Sequence, residues 1–403
     1  EIYGRKKENV YNVKKEAHLY EVWIKKRGKI MRKAAAAGII LAGAILVAGG
    51  LDKESGSENF VADVQANDET TQTEEETDSD PESEEEAALA AQIDTSAPVT
   101  KGSRIAVVSK SVDGEYWKAL HSGMEDAIKD VNAAYGFTSD DQITMTFEGA
   151  SDEQDVEKQV NTLDAVIAEN PTVLCLSAGD EDSCQAQLEA ARENDIAVVA
   201  FDSNVSDSDM IAVFRGTDNV YVGKMAGEKL SDAIGKSGKV AIFSAQEKTE
   251  SSKKRVEGFK EALAECPDIT VVQELYTDQV DDMKTAMEDA LRRYPDLAGV
   301  FCTNADVSDL YLDIEKAEGT APVMVGVDAT TKQQDAVRNG SEAGIVSQSP
   351  YQLGYQTILA AVQLTVPYEE VSSGLEKFVY YDPVWIDTTN LDAPEYSSYL
   401  YGK

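Results

Sequence analysis

AVVAFDSN, residues 197–204, is an apolar run that ends in an acid, a hydroxyl and a carboxamide. Three later stretches do the same: GVFCTNAD (299–306), VMVGVD (323–328) and GIVSQS (344–349). Short β-rich runs that are apolar throughout and alternate with helices belong to parallel sheets covered on both faces. In such sheets a ligand binds just beyond the carboxyl ends of the strands. Polar tips from segments far apart in sequence therefore imply one shared pocket.

Working outward, strands are expected at 104–109, 143–149, 172–177, 196–201 and 210–214. A second series follows at 239–244, 269–276, 299–303, 322–327 and 343–348. Helical periodicity fills 116–132, 152–169, 220–233, 251–265 and 283–293, where Met283, Met287, Ala290 and Leu291 share a face. Ten strands divide most simply into two doubly wound α/β lobes with parallel, Rossmann-like sheets. The break falls near residues 216–220. A chain of 403 residues is long enough to give each lobe its own core.

The formal charge of −37 argues against a nucleic-acid partner, which would need a basic face. Sixteen acids lie between Asp52 and Asp94 against Lys53 alone. With Phe60 its one aromatic residue, 51–102 is expected to be a disordered, self-repelling tether. Before it, Arg32 and Lys33 precede an apolar run from Ala34 to Ala48, the pattern of a signal sequence over 31–50. A membrane anchor is the alternative, although the run is shorter than the roughly 20 residues of a span. The end of the run is like a lipoprotein cleavage box with Gly50 in place of the lipid-bearing cysteine. Residues 1–30 read as translated leader, with the natural start at Met31. Together these predict a cell-surface or secreted, extracytoplasmic location.

Cys175 and Cys302 sit in apolar strands, as buried free thiols do. A bridge from Cys175 to Cys184 is the alternative for an exported protein. No metal spacing and no cofactor motif is present. Catalytic signals are also missing, since the histidines are only His18 and His121 and no nucleophile elbow occurs. A pair of cleft carboxylates would be the one argument for a glycoside-processing enzyme.

The candidate site residues, in chain order, are Tyr116 and Trp117 after the first strand, Asp202 after the fourth, and Arg255 on a helix. Asn304, Asp328 and Gln348 follow at three later strand ends. Singly, each has an ordinary reading as core aromatic, turn former, helix cap or surface ion pair.

In order and spacing, the chain resembles the ribose/galactose-type periplasmic binding proteins, the type I solute-binding family that serves ABC transporters. The resemblance spans 103–377. It rests on IAVVSKSVDGEYWKALHSGMEDA, FDSN, TDNVYVGKMAGEKL, SKKRVEGFKEAL, YPDLAGVFCTNAD, VMVGVDA and GIVSQSPYQLGYQ. It implies two lobes, 103–217 plus 349–378 and 218–348 plus 379–403, joined by hinge crossings near 216–219, 347–350 and 377–382. It further implies capture of a monosaccharide or similar small polar ligand between the lobes, with no cofactor, by a monomer that delivers to a membrane permease. A sensor that presents its ligand to a receptor kinase is the alternative.

By the same resemblance Tyr116 and Trp117 cover the sugar ring, while Asp202, Arg255, Asn304, Asp328 and Gln348 bind its hydroxyls. That division suits their chemistry, because carboxylates accept, guanidinium donates and carboxamides do both. This chain also departs from the family. Ser203 stands where an arginine is common, Ser177 where Asn or Asp is, and Asp278 where an aromatic is; Asp113 and Glu115 add acid beside the aromatic pair. One donor fewer and more negative charge predict a ligand other than plain ribose, one bearing an amine such as an amino sugar. The alternative is that these acids face solvent.

Overall fold

The fold was determined as a computed structural model that describes residues 81–403, apart from 319–321, 368–369, 372–373 and 403. The expected leader and signal sequence, and the tether as far as residue 80, lie outside the described residues.

Strands β1 (Arg104–Ser111), β2 (Thr144–Ala150), β3 (Val173–Leu176), β4 (Ala197–Phe201) and β5 (Val213–Thr217) form one series. The second comprises β6 (Gly238–Ser244), β7 (Ile269–Tyr276), β8 (Leu297–Cys302), β9 (Val323–Val327) and β10 (Gly344–Ser347). Two short strands, β11 (Phe378–Tyr381) and β12 (Val384–Ile386), return to the sheet edges. The first sheet runs β11-β5-β4-β3-β1-β2 and is parallel throughout. The second runs β12-β10-β9-β8-β6-β7 and is parallel except for antiparallel β12.

Side chains alternate across each sheet, so both faces must be apolar and both are. Val107, Cys175 and Val199 point into one core of the first sheet, while Ala106, Val108, Leu174 and Ala200 point into the other. The second sheet divides likewise between Val240, Ile242 and Phe301 on one face and Ala241, Phe243 and Val300 on the other. All four cysteines are buried and free.

The helices are α1 (Pro81–Ala90), α2 (Glu115–Tyr135), α3 (Val156–Ala168), α4 (Gln185–Glu193) and α5 (Asn219–Ala233), then α6 (Glu250–Leu263), α7 (Met283–Arg293), α8 (Ala305–Glu318), α9 (Thr331–Asn339) and α10 (Pro350–Gln363). Each lobe contains one helix pair packed backbone to backbone. A Cβ at Gly223 of α5 would lie 2.0 Å from the Arg255 carbonyl oxygen of α6, and one at Gly258 would lie 2.0 Å from that of Val220. In the first lobe Gly123 of α2 meets the Tyr351 carbonyl of α10 at 2.1 Å in the same sense. These glycines set how closely the helices approach, and hence where Arg255 sits.

Three expectations are corrected. Within 81–102 the chain is not an extended tether. Leu89 of α1 is buried, Ile93 and Val99 pack against the same first-lobe core, and the Tyr135 hydroxyl donates to the carbonyls of Asp94 and Ala97. The acids are numerous, but apolar residues spaced among them suffice to dock this stretch. Second, β11 pairs with β5 in the register Phe378↔Phe214, so Val379–Tyr381 belong to the first lobe and the third crossing falls between Tyr381 and Val384. Third, the strand expected at 210–214 begins only at Val213, because Ser208–Met210 is a 3-10 turn.

The lobes meet along the cleft. Thr331 N–H donates to Glu115 Oε2 at 2.7 Å, Glu181 N–H to the Lys248 carbonyl at 3.0 Å, and Gln246 Nε2 to the Glu153 carbonyl at 3.3 Å. The Thr249 hydroxyl bonds the Gly179 carbonyl. This is a closed form.

Candidate functional site

The topology makes the lobes pseudo-equivalent, with β4 in one sheet occupying the position of β9 in the other. Both strands end in an aspartate with left-handed backbone, Asp202 at φ 58° and Asp328 at φ 79°. That conformation costs an L-residue about 1–3 kcal/mol and persists where the surroundings dictate it. Here it turns each carboxylate back over its strand tip and into the cleft.

Between the two aspartates lies a cavity of about 170 Å³. It is smaller than the roughly 300–1,000 Å³ of sites for drug-sized ligands, so it suits one small molecule. Tyr116, Trp117, Asp202, Arg255, Asn304, Asp328, Gln348 and Asp113 all line it. The other three expected residues do not. Ser177 and Ser203 are fully buried behind the wall, and Ser177 Oγ donates to Asp202 Oδ2 at 2.8 Å. Asp278 is exposed and outside the lining, and it accepts the Glu247 N–H at 2.9 Å.

The central lining groups are held by partners. Asp202 accepts the Tyr116 hydroxyl at 2.9 Å on Oδ1, and Lys110 Nζ lies 2.9 Å from its Oδ2. Lys110 also donates to Ser203 Oγ at 3.0 Å, and Ser203 Oγ lies 2.8 Å from Ser251 Oγ of the other lobe. Where the resemblance implies an arginine and the chain has Ser203, a lysine reaching across from β1 supplies the cation beside Asp202. Burial by itself would lower the Lys110 pKa, but the carboxylates of Asp202 and Glu153 reverse that and raise it. Burial would likewise raise Asp202, yet Lys110, Arg255 and Ser177 hold it below the usual carboxylate range. The two directions agree, and the pair is ionised.

In lobe two, Asp328 Oδ2 accepts the Ala305 N–H at 2.9 Å and Oδ1 accepts Gln348 Nε2 at 2.7 Å. Arg255 donates from Nε to Asn219 Oδ1 at 2.9 Å and from Nη1 to the Thr303 carbonyl at 2.7 Å. These bonds orient the fork and leave three of its five N–H donors for other partners. Asn304 Oδ1 accepts the Val307 N–H at 3.2 Å, capping α8 and freeing its amide N–H groups. The ordinary cap reading and the site reading of Asn304 both hold.

Sequence reasoning missed Lys110, Glu153, Asp306, Asp309, Ser251, Ser252 and Thr330, which also line the cavity. A lone lysine near the end of the apolar run of β1 was the available signal for Lys110. Glu153 sits in the loop after β2, where nothing in the pattern marks it. Its Oε1 accepts the Trp117 indole N–H at 2.6 Å. Burial in the closed cleft, with Asp306 and Asp202 nearby and Lys110 opposing, pushes its pKa up to about 7. Asp306 is also raised, by burial of its inner side and by Asp328 and Asp309, although its outer edge stays exposed. In all, seven carboxyl groups line the cavity against two cations, Lys110 and Arg255. Among the described residues, no cluster of His, Cys, Asp and Glu could hold a metal, and no helix is long and apolar enough to cross a membrane.

A family model described as periplasmic binding protein domain matches residues 105–366. The chain belongs to the periplasmic binding protein family. This is a family of solute-binding proteins, not enzymes, and its members act outside the cytoplasm. The ribose import binding protein of Salmonella typhimurium is 26% identical over 206 residues, 51% of this chain and 69% of that protein. An ABC transporter solute binding protein from Agrobacterium vitis, solved with bound D-fucose, is 26% identical, with a TM-score of 0.66 over 74% of this chain and 100% of that one. A second from the same organism, bound with alpha-D-tagatopyranose, is 25% identical, with a TM-score of 0.67 over 75% and 100%. The two-lobed type I fold of this periplasmic binding protein is thus shared with solute binding proteins solved with a bound sugar.

Proposed function

We propose that this protein captures a single amine-bearing monosaccharide between its lobes and delivers it to the membrane permease of an ABC transporter. The observation that carries this reading is the convergence of polar strand tips from both lobes on one cavity of about 170 Å³. Tyr116 and Trp117 cover the apolar C–H face of the ring. Asp202 and Asp328 accept hydroxyl protons, Arg255 and Lys110 donate, and Asn304 and Gln348 do both. The charge-assisted bonds among these are about twice as strong as neutral ones. Ser177 and Ser203 act through Asp202 and Lys110, and Asp113 stands at the mouth. The relatives' sugars, D-fucose and alpha-D-tagatopyranose, support the ligand class.

The amine follows from charge. Lys110 is neutralised by Asp202, while Arg255 is held by a carboxamide and a carbonyl. Glu153 and Asp306, from opposite lobes, are left with a surplus of neighbouring carboxylates. A ligand ammonium between them would remove that repulsion on closure.

Titration calorimetry with neutral and amino monosaccharides tests the reading. Micromolar or tighter binding of an amino sugar is expected, with Asp328→Ala or Arg255→Ala abolishing it in a folded protein. Tight binding of neutral hexoses alone would refute the amine. Micromolar affinity, about −8 kcal/mol, retained in either variant would refute the site.

A further inference from the structure

The segment that follows β12 folds back into the second lobe beside the cavity. Tyr399 O accepts the Ser347 hydroxyl at 2.6 Å, Tyr401 N–H donates to the Ala329 carbonyl at 3.0 Å, and Tyr401 O accepts Gln334 Nε2 at 3.0 Å. These bonds fix Tyr401 around Asp328 and Gln348, and its side chain is buried. Its hydroxyl lies 3.3 Å from both Asp328 Oδ1 and the Gln348 carbonyl. Its ring meets that of Tyr116 edge-on across the lobe boundary, with centroids 5.9 Å apart at 65°.

Tyr116 in turn donates to Asp202. Each left-handed strand-tip aspartate thus has a tyrosine hydroxyl against it, and the two tyrosine rings touch only when the lobes are together. We propose that Tyr401 is a positioning residue of the ligand site: it holds the Asp328 carboxylate in its binding orientation and, through Tyr116, registers the two half-sites against each other on closure. This rests on the reading above that Asp328 binds the ligand. The charged and titratable groups facing the Tyr401 hydroxyl are Asp328, Tyr116 and Arg255.

The test compares Tyr401→Phe, which keeps the ring, with Tyr401→Ala, which removes it. Ligand affinity is measured by calorimetry, dissociation by stopped-flow fluorescence of Trp117, and stability of the unliganded protein by thermal melting. Loss of one buried hydroxyl donor should raise Kd roughly three- to thirtyfold in Tyr401→Phe, with the unliganded midpoint little changed. Tyr401→Ala should add faster dissociation. A purely structural role would lower the melting midpoint and leave Kd alone, and that result would overturn the proposal. Asp328→Ala separates the two readings. If it abolishes binding while both Tyr401 variants bind normally, only the Tyr401 inference fails. If it binds normally, the site assignment itself fails.

Discussion

Lys110→Met removes the cation of the buried pair with Asp202 while keeping most of the side-chain volume. Both partners are about 5% exposed and 2.9 Å apart, so the variant leaves a carboxylate with little access to water. Breaking such a pair from one side costs about 3–5 kcal/mol, far more than an exposed pair contributes. At about 2–4 °C per kcal/mol for a unit of lobe size, the midpoint should fall by roughly 6–20 °C. The effect must also depend on pH. In the native protein Asp202 is held below its ordinary value, so the contribution of the pair persists through the neutral range and is lost only in strong acid. Without Lys110, burial raises Asp202, and the acid can be accommodated by taking up a proton. The deficit should therefore be largest near pH 7.5 and shrink toward pH 5. Adding Asp202→Asn should recover most of it, since no unpaired charge then remains. Thermal melting and urea denaturation of the parent and the two variants at both pH values are the assay. A single variant as stable as the parent, or an equal deficit at both pH values, would refute the argument that Lys110 exists to balance Asp202.

Three further outcomes are expected. Glu153, with its folded pKa raised to about 7, binds a proton more readily folded than unfolded. Unliganded stability should then fall as pH rises from about 4.5 to 7, and Glu153→Gln should flatten that slope in thermal melts. Amino-sugar affinity should rise over the same interval, because the ammonium needs the ionised acid. Gly223→Ala places a Cβ 2.0 Å from the Arg255 carbonyl; α5 and α6 must separate, costing about 1–3 kcal/mol, and calorimetry should record weakened binding as Arg255 shifts. Leu89→Ala should destabilise the protein by about 2–5 kcal/mol in chemical denaturation, whereas a tether that did not dock would give no change.

Much of the site was legible because a parallel strand must leave its sheet through a polar turn. Asp202, Asn304, Asp328 and Gln348 stand at such exits, and the fold then brings the exits together. Lys110 was not legible as a site residue because it lies within an apolar run, where the strand pattern hides a charge whose partner is 92 residues away (110 to 202). Glu153 and Tyr401 lie outside the regular elements that frame the cleft, so no periodicity points to them. Asp278 was misplaced for the opposite reason. Position after a strand suggested the cavity, but its carboxylate is exposed and engaged by the Glu247 N–H instead of lining the cavity.

The amino-acid sequence by itself determined two α/β lobes, the identity of their polar strand tips and an excess of acid near them, because alternation, turn chemistry and charge are local properties. Only the tertiary structure decided which charges neutralise one another and which remain for a ligand. That depends on Lys110 crossing from β1 to Asp202, and on Glu153 and Asp306 approaching from different lobes. It also depends on Tyr401 returning beneath Asp328. Electrostatic energies in a closed cleft depend on distance and on the exclusion of water, and neither exists until the lobes have packed and closed.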